Sequence, residues 1–136
     1  MSEDLGALCA GAARALAEAE RPVLESHGLT MWQYVVLSAL STGAAASQLV
    51  LAQQIHYDKT RLIALLDGLE AAGLVTRAPD PADRRARVVR LTEAGISRHA
   101  AVRAAIRELE ERMLAGLSAE ERRALRAGLA HLANPD

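Results

Sequence analysis

Phenylalanine is absent, and the aromatic residues amount to one tryptophan and two tyrosines. A core without large rings must come from leucine, alanine, valine and isoleucine, a composition that favours packed helices. The single cysteine, Cys9, cannot form an internal disulfide, which suits a reducing compartment. Apolar runs extend only a few residues, far short of the roughly 20 needed to cross a bilayer. No charged n-region with an apolar h-region opens the chain, so no export signal is expected and the expected location is the cytoplasm. An excess of either charge is lacking too: 16 basic residues stand against 17 acidic ones. That balance excludes coating nucleic acid by bulk charge, though not a local basic face.

Catalytic and metal chemistry are also missing. His27, His56, His99 and His131 are scattered, with no cysteine or acid at metal-ligand spacing. No glycine-rich phosphate loop, nucleophile elbow or carboxylate pair stands out. The expectation is a protein without catalytic residues, metal or cofactor. Cys9 has no cationic neighbour nearer than Arg14, so an inert small core residue is its default and a cysteine-based redox sensor the lesser alternative. At 136 residues the chain reads as one domain, 1–136, near the size at which a partner subunit helps.

What is present is mostly helical periodicity. Leu8, Ala12, Leu16, Ala19 and Val23 recur at helical spacing, with Pro22 near the end and Gly28 as a stop. Thr30 and Gln33 form a capping-box pattern that starts a second helix, closed near Thr42 by Gly43. Ser47 opens a short helix carrying Leu49, Leu51, Ala52 and Ile55, a break follows at His56 and Tyr57, and Asp58 caps a helix with Leu62, Leu65, Leu66 and Leu69 inward. Two helices joined by a short turn, with small Ala52 at their crossing, give a helix-turn-helix.

Leu74 to Ala78 and Arg87 to Leu91 read as strands, linked by the proline-stiffened "PDPADRR". A hairpin after a helix-turn-helix is a winged helix, and the arginine-rich link is its wing. From Leu74 to Thr92 five arginines stand against two aspartates. A long helix follows from about Glu93, with a heptad-like seam through His99, Val102, Ile106, Leu109 and Met113 that runs on to Leu117. Ser118 and Glu121 then box the start of a last helix.

These pieces permit DNA recognition. Lys59, Thr60 and Arg61 occupy the N-terminal turn of the second helix of the pair, the turn that reads base edges in the major groove. Arg84, Arg85 and Arg87 sit on the wing, where arginine suits the negative potential of a narrow minor groove. Asp83 can hydrogen-bond an arginine two residues on and hold its fork outward. The bland alternative, a solvated helix start and a surface ion pair, is weaker where both features occur side by side. A winged-helix module that binds proteins instead of DNA would present an exposed apolar wing or recognition helix, which the arginines oppose.

The chain resembles the MarR family of transcriptional regulators over nearly its whole length. The resemblance is carried by Leu29, Thr30, Gln33 and Tyr34; by Leu51-Ala52; by Asp58-Lys59-Thr60; by Asp67, Leu69, Glu70, Gly73, Leu74, Val75 and Arg77; and by Asp80, Asp83, Arg84, Arg85, Leu91, Thr92 and Gly95. It implies a mainly α fold with a small β-hairpin wing, in which a winged helix-turn-helix over about 30–92 is flanked by dimerisation helices over 1–28 and 93–136. It implies a homodimeric regulator, commonly a repressor, that grips a pseudo-palindromic duplex and releases it on binding a small aromatic or phenolic effector or on oxidation. Arg85 then looks like the arginine that enters the minor groove, oriented by Asp83. The effector pocket would lie between the dimer helices and the winged domain, near His27, Met31 and Trp32. Departures are Ile63 and Ala64 where a Thr-Arg pair is common, and Gly68 where a basic residue is common, so no other member's operator carries over. Glu20 and Met31 occupy the places of the tyrosines that would bond a sensing thiol, which argues against Cys9 in that role.

Overall fold

A computed structural model of the chain describes residues 3–45 and 47–135. Among them are six helices, α1 (Leu5–Ser26), α2 (Met31–Ser41), α3 (Gln48–Gln54), α4 (Lys59–Ala71), α5 (Glu93–Met113) and α6 (Ala119–Ala133). Two strands, β1 (Val75–Pro79) and β2 (Arg87–Leu91), pair antiparallel between α4 and α5, with Val75 opposite Leu91 and Pro79 opposite Arg87. The expected architecture, mainly helical with one small hairpin, is the one observed.

The helix boundaries follow from side-chain chemistry at their starts. Thr30 and Gln33 close a reciprocal box at α2, and Ser118 and Glu121 do so at α6. Ser47, Asp58 and Thr92 each accept a backbone N–H in the first turn of α3, α4 and α5. Each bond satisfies a donor the helix itself leaves open. At the other end, Gly73 takes a φ of +77° and lets the Leu74 N–H reach back to the Leu69 carbonyl at 2.9 Å. That closure ends α4 in the left-handed residue only glycine adopts freely. It also explains why β1 begins at Val75, one residue later than expected: Leu74 still belongs to the helix stop.

The core is built from Val36, Leu37, Leu51, Leu62, Leu66, Leu69, Val75, Val89 and Val102, all essentially fully buried. It lies between α2, α3, α4, the hairpin and the first half of α5. Val89 exchanges two backbone hydrogen bonds of 3.0 Å with Ala45, so the loop after α2 pairs with the far side of β2 and anchors the base of the hairpin. Gly95 is where α5 meets the hairpin. A Cβ there would lie 2.1 Å from the Leu74 carbonyl oxygen, the atom that accepts the Thr92 N–H, so no side chain fits.

Two further corrections concern the ends of the chain. The seam on α5 stops at Met113, because Leu114 caps the helix and the Leu117 N–H turns back to the Leu114 carbonyl. The apolar positions of α1 are covered only toward its end: Leu5 and Leu8 are exposed, Leu16, Ala19 and Val23 are half-buried, and only Leu24 is buried. Helix α6 buries no residue at all. Its links to α5 are ion pairs, Arg122 with Glu111 and Arg126 with Glu110, together with the Arg122 Nε, which donates to the carbonyls of Leu114 and Leu117.

Among the described residues one polar side chain is buried in the core region, His99. Its Nε2 lies 3.0 Å from the Ser38 hydroxyl, and its ring stacks on Tyr34 at 5.5 Å. Burial first, and the nearby Arg103 charge second, hold its pKa below the ordinary imidazole value.

A candidate DNA-binding surface

Helices α3 and α4 pack against each other, and the small side chain of Ala52 is buried. The turn between them is tight. His56 adopts a left-handed φ of 54°, uncommon for a residue with a Cβ, and the Tyr57 N–H then bonds the Ala52 carbonyl at 2.9 Å. The Asp58 carboxylate accepts the Arg61 N–H at 2.8 Å and starts α4. Lys59, Thr60 and Arg61 are all exposed on this first turn. Farther along the same helix, Ile63, Ala64, Asp67 and Gly68 are exposed while Leu62, Leu66 and Leu69 face the core. The outer face of α4 is therefore basic at its start and nearly uncharged in the middle.

The wing is folded by its two aspartates. Asp80 accepts the Ala82 N–H through its side chain at 2.8 Å, and Asp83 accepts the Arg85 N–H at 3.0 Å. Both are short side-chain-to-backbone turns of the kind aspartate favours. The Asp80 N–H reaches the Ala86 carbonyl, and the Ala86 N–H the Asp83 carbonyl, each at 3.0 Å. Asp83 thus fixes Arg85 through its backbone; the expected bond to the guanidinium fork is not what is seen. Arg84, Arg85 and Arg87 are exposed, and among the described residues none of them enters a salt bridge.

Arg77 behaves differently from the other hairpin arginines. It is only 14% exposed and bonds Asp67, Glu70 and the Gln48 side chain, the last two at 2.9 and 3.1 Å. The hydrogen bond with Glu70 is the main reason its pKa is raised and that of Glu70 lowered. This arginine ties α4 and α3 to β1. Its charge is already matched, so among the described residues the unpaired cations of the hairpin are Arg84, Arg85, Arg87 and Arg90. Arg77 is one of the five arginines between Leu74 and Thr92, but the acids that claim it lie 10 and 7 residues upstream, about one helix turn apart on α4.

Gln48, Ile63, Glu70, Arg77 and Arg87 line one shared hollow, which brings the wing arginine Arg87 to the border of α4. The hairpin at Arg87 and the outer side of α4 at Ile63 thus border the same hollow.

The three residues named for an effector pocket are not brought together. Met31 lines a partly open cavity of about 200 Å³ with Arg21, Leu24, Glu25, Leu29 and Thr30. His27 is turned elsewhere, its Nδ1 2.9 Å from the Val23 carbonyl oxygen. Trp32 points to the helix-turn-helix, its ring centroid 4.4 Å from that of Tyr57. Tyr57 in turn lies under the Arg61 guanidinium at 5.4 Å.

Known proteins share this arrangement. The model of the MarR family matches residues 27–86, the segment holding the recognition turn and most of the wing. The HTH-type transcriptional repressor NicR of Pseudomonas putida is 35% identical over 97 residues, which is 71% of this chain and 61% of NicR. The chain spans about three-fifths to two-thirds of the length of the curated relatives it matches. Among solved structures, the transcriptional repressor CouR, a protein of Rhodococcus jostii RHA1, bound to a 23-mer DNA duplex superposes with a TM-score of 0.88. It is 28% identical and covers 96% of this chain and 93% of its own. NadR in complex with 4-hydroxyphenylacetate gives a TM-score of 0.84 at 26% identity, over 99% and 96% of the two chains. With the capped helix-turn-helix, the aspartate-folded wing and these likenesses agreeing, the chain belongs to the MarR family.

Proposed function

We propose that this protein is a homodimeric transcriptional repressor that binds duplex DNA and releases it on taking up a small effector. It acts as one domain, a binding protein and not an enzyme, and works in the cytoplasm. The observation that carries the reading is the contrast among the hairpin arginines. Arg77, at the base, is neutralised by two acids, whereas Arg84 and Arg85, on a loop stiffened by Pro81 and two aspartate turns, and Arg87, at the start of β2, are exposed without an acidic partner among the described residues. Cations held out on a preordered loop have little conformational freedom left to lose when they meet phosphates or a minor groove. The exposed start of α4 supplies the major-groove contacts through Lys59, Thr60 and Arg61.

Dimerisation follows from what the single chain leaves uncovered. Leu5 and Leu8 on α1 and Leu125, Leu129 and Leu132 on α6 are exposed. A helix of 15 residues that buries nothing, as α6 does, is marginal in water by itself. A second copy covering both helices supplies the missing apolar contacts and places two winged helices on the two halves of a palindrome. CouR bound to a DNA duplex supports the DNA reading, and NadR holding 4-hydroxyphenylacetate supports a phenolic effector. The cavity beside Met31, mostly apolar with Arg21 among its lining residues, has room for one aromatic ring, since roughly 150 Å³ suffices for benzene. A gel shift with the promoter region of the protein's own gene tests the proposal. Binding is expected, and it is expected to be lost on Arg85→Ala at unchanged helicity. Equal binding by Arg85→Ala would refute the assignment of the wing.

A further inference from the structure

Two aromatic residues stand beside the first turn of α4. Trp32 is the second residue of α2, Tyr57 closes the turn before α4, and Arg61 is the third residue of α4. Their side chains form a continuous stack: Trp32 on Tyr57 at 4.4 Å with the planes tilted by 39°, and the Arg61 guanidinium over the Tyr57 ring at 5.4 Å. The 5.4 Å separation lies inside the range in which a guanidinium is held by an aromatic face. Tyr57 is a firm support, because its N–H is bonded to Ala52 and its ring packs on the core. Arg61 forms no salt bridge among the described residues, so this ring is the contact that restricts its long, flexible side chain.

We infer that Tyr57, backed by Trp32, is a positioning residue for DNA recognition: it holds the Arg61 guanidinium in the orientation that meets the duplex. The inference rests on the DNA-binding reading above and deepens it. An arginine already stacked on a fixed ring loses less freedom on binding than one free in solvent. Lys59 and Thr60, on the same turn, have no such support, which makes Arg61 the side chain of the three with a defined direction.

The test uses the full chain and a duplex recovered from a random pool by selection with the wild-type protein. Affinities for that duplex are measured by fluorescence anisotropy for Tyr57→Leu, Tyr57→Phe, Arg61→Ala and the Tyr57→Leu, Arg61→Ala double variant. Tyr57→Leu is expected to bind roughly three- to tenfold more weakly, the range of a part-exposed cation–aromatic contact. Tyr57→Phe, which keeps the ring, restores wild-type binding. In the Arg61→Ala background, Tyr57→Leu costs nothing further. Trp32→Leu, at a more exposed position, weakens binding in the same Arg61-dependent way and keeps the test alive if Tyr57→Leu fails to fold. Trp32 is the only tryptophan, so its emission reads the stack directly: it changes on DNA binding in the wild type and not in Arg61→Ala. The inference is overturned if Tyr57→Leu binds like wild type, or if it weakens binding by the same factor with and without Arg61, the mark of a merely structural ring. A wild-type protein that recovers no duplex at all removes the DNA-binding reading and this inference together.

Discussion

Single residues divide into those that hold the surface and those that present charge. Arg77 holds it, bridging Asp67, Glu70 and Gln48, whereas Arg85 presents charge from a loop that Asp83 fixes by accepting its N–H. Their substitutions therefore separate by assay. Arg85→Ala is expected to leave the melting temperature unchanged and to lower DNA affinity, with the slope of log affinity against log salt falling by about one. Arg77→Ala is expected to lower stability, because two acids on α4 lose their shared cation, and to affect DNA binding only through that loss. If the two variants showed the reverse pattern in thermal melts and salt titrations, the division of roles would be wrong. Gly95 has a third kind of role. With the Leu74 carbonyl oxygen 2.1 Å from where its Cβ would sit, Gly95→Ala should cost about 2–3 kcal/mol or more by urea denaturation. A loss near zero would mean that α5 can shift away from the hairpin freely.

Elements were legible wherever their determinants are local. The boxes at Thr30–Gln33 and Ser118–Glu121, the caps at Ser47 and Asp58 and the stop at Gly28 are each settled within a few residues, and α2, α3, α4 and α6 begin where those residues put them. What escaped the sequence depends on contacts across the fold. Trp32 meets Tyr57, 25 positions later, as two helices pack; Val89 pairs with Ala45 through a loop with no strand pattern; and the apolar face of α1 is readable as helical without showing what covers it. His99 is another such case. Its alignment with the apolar positions of α5 predicted an inward position, but its partners, Ser38 and Tyr34 on α2, are fixed by packing alone. Because its pKa in the fold lies below the ordinary 6.5, the unfolded chain binds its proton more readily. Its burial therefore costs nothing above about pH 6.5, and stability falls as pH drops from there through the lowered folded value. Melts between pH 7.5 and pH 5 should show this fall, and His99→Gln should flatten it while keeping a partner for Ser38. An unchanged pH slope in the variant would assign the effect to other groups.

The whole molecule is where the proposed function is decided, since in that proposal one chain supplies only half of a palindrome reader. Uncovered leucines on α1 and α6 call for a partner, and Leu129→Glu is expected to convert a dimer into a less stable monomer by sedimentation at micromolar concentration. A variant that remains a tight dimer would move the interface elsewhere. In the proposed dimer, two recognition turns and two wings would act together, each held by the same caps, aspartate turns and arginine clamp. The most direct measurement is a footprint of the wild-type protein on a duplex recovered by selection, with the number of bound chains counted by sedimentation. Two protected half-sites of inverted sequence, centred about 10 base pairs or one helical turn apart and occupied by two chains, are the expected result. A single asymmetric tract held by one chain, or protection that Arg85→Ala leaves intact, would contradict it.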